Sequence, residues 1–477
     1  MNYKIILNVL GGLLRFLGLI MIVPLFVAFY YGESLYPFIV AVALTGLTGI
    51  VLSLMYKSDE EWKKREGFAI VALGWLAAAV FGAIPFVFDG ISPLNAFFES
   101  MSGFTTTGAT VFVDIESHSR SILFWRSMTQ WLGGMGIIML FIAILPKLGV
   151  AGRQLFRAEA PGPTEDKLKP RIRETAKILW MVYVVISLVE VALLLLAKMS
   201  LYDALTHTFT TMACGGFSTY TDSIKYFNSP MIEGIITLFM FIAGANFALH
   251  YRTLYVNKNS LVNDNEFRFY AAIVIFASGL LTVLLWRDMD YTVFDSLRYA
   301  VFQIVSITTT TGFATVDFNL WSDSARMILF IVMFIGGSAG STAGGIKVVR
   351  ILLLLKYGRR ELFKLIHRKA IKPIKLNNKS VPDDVMQSII AFVVIYLMIF
   401  VISGGILSVL GMDIVSSLTA SIATLGNIGP AFNLVGPMAN YDIVHPLGKL
   451  VLIANMWIGR LEVFTVIVLL TPEFWKK

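Results

Sequence analysis

Between Asp384 and Asp413 lie 28 residues, Val385 to Met412, without one charged side chain. About 20 apolar residues in a helix cross the hydrocarbon core of a bilayer, so a stretch of this kind belongs in a membrane. Similar runs recur near residues 5–30, 36–56, 67–88, 121–146, 178–198, 230–256, 269–286, 325–355, 385–411 and 445–470, which predicts ten spans. Composition agrees. Hydrophobic residues make up 57% and charged residues 15%, where a soluble chain carries roughly 25% charged, and the mean hydropathy is +0.74. A transmembrane β-barrel would show short alternating segments instead. The single cysteine, Cys214, excludes an intrachain disulfide framework. The first run has only Lys4 ahead of it, contains Arg15 and lacks a small-residue cleavage site, so it reads as a span and not a signal peptide.

Charge orients the spans. The even-numbered connections and both ends carry 29 Lys or Arg against 14 Asp or Glu, and the opposite face carries 8 against 15. Basic loops stay in the cytoplasm, so both termini are expected there. The net charge of +8 is then a topology signal, not a nucleic-acid footprint. The mildly acidic outer face favours cations at an entrance.

Four of the outer connections share a pattern. After the third, fifth, seventh and ninth spans comes an apolar segment too short to cross, ending in small residues around a glycine. These are Ser102–Thr110 (SGFTTTGAT), Thr211–Thr219 (TMACGGFST), Thr308–Thr315 (TTTTGFAT) and Ala423–Pro430 (ATLGNIGP). With Gly108, Gly216, Gly312 and Gly426 as the key glycines, Asn95, Asp203 and Asp413 each stand 13 residues ahead and read as helix N-caps. Asp295 stands 17 ahead, so the third copy has an extra turn or a different start. The unit is span, half-membrane helix, glycine loop, span, repeated four times. Irregular backbone at membrane depth survives only when buried in protein or lining a watery path, so four such loops most economically surround one axis. Each short helix then turns its negative C-terminal end inward, which suits a cation. Backbone carbonyls can replace the water of a dehydrated monovalent cation, and glycine adopts the required backbone angles cheaply. Singly, each could be a turn glycine between helices; four in register suggest a shared purpose.

At these residues the chain resembles the Trk/Ktr/HKT superfamily of potassium transporters, in its TrkH/TrkG branch. Further matches are Ala158–Pro163 (AEAPGP), Gly336–Lys347 (GGSAGSTAGGIK) and Trp457–Phe464 (WIGRLEVF). The resemblance covers essentially the whole chain, and two extra spans precede the repeats as in that branch. It implies an all-α polytopic membrane protein with four pseudo-symmetric repeats around a central pore. The expected division is an N-terminal pair of spans over 1–66, then repeats over 67–157, 158–262, 263–375 (with an intramembrane loop) and 376–477. It also implies a selectivity filter holding K+ at Thr106, Thr107, Gly108 and Ala109; at Cys214, Gly215, Gly216 and Phe217; at Thr310, Thr311, Gly312 and Phe313; and at Thr424, Leu425, Gly426 and Asn427. A glycine in all four copies goes with potassium preference, and serine in the first marks sodium-conducting relatives. The fourth copy departs most, with Leu425 and Asn427 where the third has threonine and phenylalanine. The implied partners are membrane lipids, a second copy of the chain, and a cytosolic nucleotide-binding regulator of the TrkA type. The implied location is the cytoplasmic membrane of a prokaryote. K+ is the only cofactor expected, with no organic one and no nucleic acid.

Two features beyond the loops stand out. Residues 336–345 hold five glycines and nothing bulky inside the eighth run. Helix is weak there, and a close helix contact usually needs glycines only four apart. We read a break bulging into the pore below the filter. By resemblance it is a gate formed by Gly336, Gly337, Ser338, Ala339, Gly340, Ser341, Thr342, Ala343, Gly344 and Gly345, with Lys347 at its end. Gly340–Lys347 superficially resembles a nucleotide-binding loop, but Ile346 stands where the lysine should be and the context is a membrane helix. The second feature is Arg460, expected midway along the last span. A charge at that depth is a functional candidate, read here as an electrostatic barrier in the pore, with a salt bridge to Glu462 or Glu190, or snorkelling, as alternatives. Glu190 and Glu462 could also couple protons or sodium. The five histidines are scattered and suggest no metal cluster, and no nucleophile triad is present, so no enzyme is expected. The connection 347–384 carries 11 Lys or Arg against three acids, from the positive-inside rule and anionic lipid, or as a docking surface. The reading is channel-like K+ uptake. Its rivals are a K+ symporter coupled to Na+ or H+, and a non-conducting membrane receptor or scaffold.

Overall fold

The structure, a computed structural model, describes residues 1–56, 64–144 and 172–476. The Ala158–Pro163 motif and the expected repeat boundary at 157/158 lie outside them. Two consecutive helices, α1 (Tyr3–Ile20) and α2 (Ile22–Tyr31), go up, and α3 (Tyr36–Met55) returns against α1. Small residues allow the close approach. A Cβ on Gly49 would lie 2.6 Å from the Arg15 amide nitrogen, and one on Gly18 would lie 3.1 Å from that of Gly46.

Four units follow. The first has α4 (Lys64–Gly82) running into α5 (Ile84–Phe88), then the short α6 (Pro93–Phe104) and α7 (Arg120–Ile144). The second has α8 (Ile172–Leu196), the short α9 (Leu201–Met212), α10 (Pro230–Ala243) and α11 (Phe247–Tyr255). The third has α12 (Asn265–Asp288), the short α13 (Val293–Thr308), α14 (Asp323–Val332) and α15 (Val348–Ile366). The fourth has α16 (Asp383–Val409), the short α17 (Ile414–Leu425), α18 (Pro446–Arg460) and α19 (Phe464–Ile467). Between α15 and α16 a two-residue hairpin pairs β1 (Lys375–Leu376) with β2 (Lys379–Ser380). Its turn residues, Asn377 and Asn378, are both left-handed, as such a hairpin requires.

The sequence predicts ten continuous spans, and the structure differs at three. Among the described residues, six helices are long and apolar enough to cross a bilayer. The run at 230–256 is a pair of helices bent by 96°, and the run at 445–470 is a pair bent by 111°. The run at 325–355 is interrupted between Val332 and Val348. Hydropathy is blind to these breaks because the glycines of 336–345 and the single polar residues Asn246 and Glu462 sit among apolar neighbours that keep the average high. In the first bent pair the Asn246 side chain accepts from the Ala248 amide and restarts the chain as α11. In the second, Glu462 and Val463 both take positive φ.

The short helices correct the expected caps. Ser92, Ser200, Thr292 and Asp413 cap them, each accepting from the amide three residues on. Asn95 and Asp203 are therefore third helical residues and not caps; Asp413 is a cap as expected. A serine before the apolar run competes as well as an acid for this role. The helices have 12, 12, 16 and 12 residues, so the third copy has one extra turn. Although rich in serine and threonine, they are deeply buried. Many hydroxyls are satisfied on the carbonyl four residues back, as Thr309 Oγ1 is on Val305 (2.8 Å) and Thr424 Oγ1 on Ala420 (2.7 Å).

Candidate functional site

All four short helices end in the same backbone figure. Two residues beyond each helix stands a non-glycine residue with positive φ: Thr106 (51°), Cys214 (53°), Thr310 (58°) and Asn427 (55°). Two residues further stands a glycine with positive φ: Gly108 (82°), Gly216 (73°), Gly312 (82°) and Gly429 (97°). The residue between them returns its amide to the helix, as Thr107 does to Ser102, Gly215 to Thr210, Thr311 to Ser306 and Ile428 to Ala423 (each 2.8 Å). A β-branched residue with positive φ is a genuine outlier. Such strain is held only where the surroundings over-determine it, and it clusters at functional sites.

This figure corrects the fourth copy. Gly426, expected as its key glycine, has φ −79° and merely caps α17. Gly429 occupies the place of Gly108, Gly216 and Gly312. Counted from the true caps, Gly108, Gly216 and Gly429 each lie 16 residues on, and Gly312 lies 20 on, its helix being one turn longer. Thr424 and Leu425 accordingly belong to the end of α17, and the fourth loop is Asn427, Ile428, Gly429 and Pro430.

The four loops close on one another in a ring. A Cβ on Gly108 would lie 2.1 Å from the Gly215 carbonyl oxygen, and one on Gly216 would lie 1.8 Å from that of Thr311. A Cβ on Gly312 would lie 1.9 Å from the Ile428 oxygen, and one on Gly429 would lie 2.6 Å from the Thr107 oxygen, which returns to the first loop. Left-handed backbone and a neighbour's carbonyl thus both demand glycine at these positions. Ala109, Phe217 and Phe313, just beyond, are buried, and the Phe313 carbonyl accepts from Ser306 Oγ at 2.7 Å.

Beneath the ring, residues 336–347 form a pinched lobe. Its neck is a parallel bridge between Ile335 and Ile346, with the Gly336 amide on the Ile346 carbonyl (2.9 Å) and the Val348 amide on that of Gly337 (3.1 Å). The lobe fills the bend between α10 and α11. Ser338 N donates to Gly244 O (2.8 Å), and Phe247 N donates to Gly340 O (3.1 Å). It also touches the ring's inner edge. Gly344 N donates to Thr310 Oγ1 (2.7 Å), and Thr342 Oγ1 donates to Met212 O (2.9 Å) and lies 3.2 Å from Cys214 Sγ. A Cβ on Gly344 would meet the Gly426 carbonyl at 2.5 Å. On its far side Ala339 N donates to Glu266 (2.6 Å), and Lys347 Nζ returns to the Ala343 carbonyl. Ser341 Oγ donates to Ser338 O (2.6 Å), and within Gly336–Gly345 only Gly340 is exposed.

Arg460 is the last residue of α18, not the middle of a span, because the chain turns away after it. It is buried, with Nη1 donating to Thr342 O at 2.8 Å and Nη2 to Gly133 O at 3.5 Å. The alternative of an ion pair with Glu462 is overturned, since Glu462 bridges Arg350 on α15. Glu190 on α8 is wholly buried and makes no hydrogen bond to Arg460 among the described residues. His207 is a satisfied core histidine, with Nδ1 2.8 Å from Asp203 O and Nε2 3.0 Å from Ser218 Oγ.

Gln130 escaped the reading of the sequence, whereas Asn427 was expected at the fourth loop. Gln130 on α7 grips the second loop, donating to Gly215 O (2.7 Å) and accepting from Phe217 N (3.0 Å). Asn427 Nδ2 donates to Thr107 Oγ1 (3.0 Å) and to Met456 O (3.0 Å), tying the fourth loop to the first. A polar residue inside an apolar run is the signal that could have found Gln130.

Comparison with known proteins bears on this geometry. The TrkH family model, described as a cation transport protein, matches residues 38–477. The Trk system potassium uptake protein TrkH of Halomonas elongata is 41% identical over the whole of both chains. The protein of the same name from Escherichia coli K12 is 42% identical over the whole of both, and the TrkG protein of that organism is 32% identical over all of this chain and 99% of its own. The crystal structure of the potassium transporter TrkH from Vibrio parahaemolyticus aligns over all of both chains with a TM-score of 0.91 and 38% identity.

Proposed function

We propose, for a chain that belongs to the TrkH family of cation transport proteins, that the ring of four glycine loops is the filter through which it conducts potassium. The protein is a multi-pass membrane transporter and not an enzyme, and its activity is potassium uptake. The observation that carries the filter reading is the closed circuit of carbonyls from Thr107, Gly215, Thr311 and Ile428, each against the glycine of the loop before it around the ring. A monovalent cation stripped of water needs such oxygens, and here strained backbone holds them in place before it arrives. The short helices aim their C-terminal ends at the same ring, which favours a cation over an anion.

Two further roles follow in this reading. The 336–347 lobe gates the path, since it hydrogen-bonds the inner edge of the filter through Thr310 and packs against the fourth loop. Arg460 clamps the lobe through Thr342 and sets positive charge beside it. The basic face, with both termini, is cytoplasmic, and the 347–384 segment offers a surface to anionic lipid and to a cytosolic nucleotide-binding regulator of the TrkA type. The relatives' names speak of a system, which supports a partner; a homodimer belongs to the same proposal.

Cation uptake into proteoliposomes tests the filter. Purified chain should take up K+ in preference to Na+, and Gly108→Ser should narrow that preference. Uptake that is absent even after deletion of 338–343 would overturn conduction and favour a receptor or scaffold. Uptake that requires a Na+ or H+ gradient would favour the coupled symporter, for which Glu190, wholly buried on α8, is the candidate group.

A further inference from the structure

Behind the first two loops lies a buried ion pair that the filter reading does not use. Glu99 on α6 and Arg126 on α7 meet at 2.6 Å, with side chains 0% and 2% exposed. Each also holds a loop just outside its ring glycine. Glu99 Oε1 accepts from the Thr110 hydroxyl and Oε2 from the Val111 amide, both at 2.9 Å. Arg126 Nη1 donates to the Ser218 carbonyl at 2.7 Å, and its guanidinium lies 3.6 Å from the Phe217 ring centroid. Thr110 stands two residues after Gly108, and Ser218 two after Gly216, so one pair fastens the same point of two adjacent quarters.

A buried ion pair is weak support for stability, because the cost of removing two charges from water offsets much of their attraction. What it supplies well is fixed geometry: an acceptor for two donors on one side and a planar fork on the other. Among the described residues the other quarters show no such pair at this place. Counted from the helix caps, and allowing for the extra turn of α13, the place of Glu99 is taken by His207, Gln303 and Ala420. His207 reaches Ser218 Oγ at 3.0 Å, and Gln303 reaches Thr315 Oγ1 only at 3.4 Å. The brace therefore weakens around the ring from carboxylate to methyl.

We propose that Glu99 and Arg126 are positioning residues that set the K+ over Na+ discrimination of the filter by locking its first and second loops together. This rests on the ring being the filter. Neither residue touches the ion. Each acts through the backbone it holds, so loss of the lock lets two strained loops relax and accommodate a smaller cation.

The test compares the ratio of K+ to Na+ uptake in proteoliposomes for the wild type, Glu99→Gln and Arg126→Lys. Thr110→Val removes one hydroxyl from the carboxylate while keeping the side-chain shape, and serves if the charge variants fail to fold. Hydrogen bonds to a charged group contribute enough for a loss of about tenfold in the ratio for the first two variants, and a smaller loss for the third. Arg298→Lys is the structural control. It weakens the two-bond pair with Glu233 (both 2.6 Å), away from the ring, and should lower the melting temperature while leaving the ratio unchanged. A K+-selective wild type whose folded variants keep the same ratio overturns the role of the pair alone, as does an equal shift in Arg298→Lys. A wild type with no K+ preference overturns the filter reading and the proposal with it.

Discussion

Positive φ at Thr106, Cys214, Thr310 and Asn427, followed two residues later by a left-handed glycine, makes the ring a matter of single residues. A left-handed conformation costs an L-residue roughly 1–2 kcal/mol, and a Cβ at the glycine would also press on a neighbouring carbonyl. Gly429 and Gly426 separate the two possible registers of the fourth loop. Gly429→Ala should cut the ratio of K+ to Na+ uptake by about tenfold, the equivalent of about 1.4 kcal/mol. Gly426→Ala, at φ −79° with the added Cβ 2.9 Å from the Ile422 carbonyl oxygen and 3.1 Å from the flexible Ile428 side chain, needs only a small shift at the end of its own helix and should leave the ratio near that of the wild type. Equal effects, measured by flux in the same vesicles, would restore Gly426 to the ring.

At the scale of elements the 336–347 lobe is the part proposed as the gate. Its neck is closed by backbone hydrogen bonds, while its tip bonds the edge of the ring through Thr310 and is itself held by Arg460. Deleting residues 338–343 should raise K+ flux several-fold; unchanged flux in a folded protein argues against a gate. Arg460 has two separable effects, charge and hydrogen bonding. Arg460→Ala should raise flux, and Arg460→Lys should raise it less, since lysine keeps the charge but loses the rigid fork. A lysine variant indistinguishable from the wild type would assign the whole effect to charge, and a fall in flux with normal assembly would make Arg460 structural.

For the whole molecule the charge imbalance predicts which side each loop faces. Cys214 is fully buried, so the native chain should be silent to a membrane-impermeant thiol reagent. Ser117→Cys and Lys372→Cys, both at exposed positions, should label only from outside and only from inside respectively in oriented vesicles. Labelling from the opposite faces would invert the topology and with it the assignment of the acidic face as the entrance.

The repeat, the membrane and the family were legible in the chain because hydropathy, charge and recurrent glycine motifs are local properties that survive in any alignment. The weak helix at 336–345 was legible for the same reason, since five glycines in ten residues disfavour helix wherever they lie. The fourth register was not. Gly426 and Gly429 are chemically identical, and only the Asp413 cap and the backbone figure it sets distinguish them. The bends at 244–246 and 461–463 were invisible because the lobe from another repeat fills the first, and one polar residue in each, Asn246 or Glu462, does not interrupt the apolar run around it. The partners of Arg460, Glu462 and Gln130, and the Ser218 carbonyl that Arg126 holds, come from segments far apart in the chain. The sequence by itself determined what kind of solvent this chain lives in and that four of its loops are alike; which carbonyl faces which glycine was decided only by folding, because that contact is made between loops about a hundred residues apart or more and no local pattern encodes it.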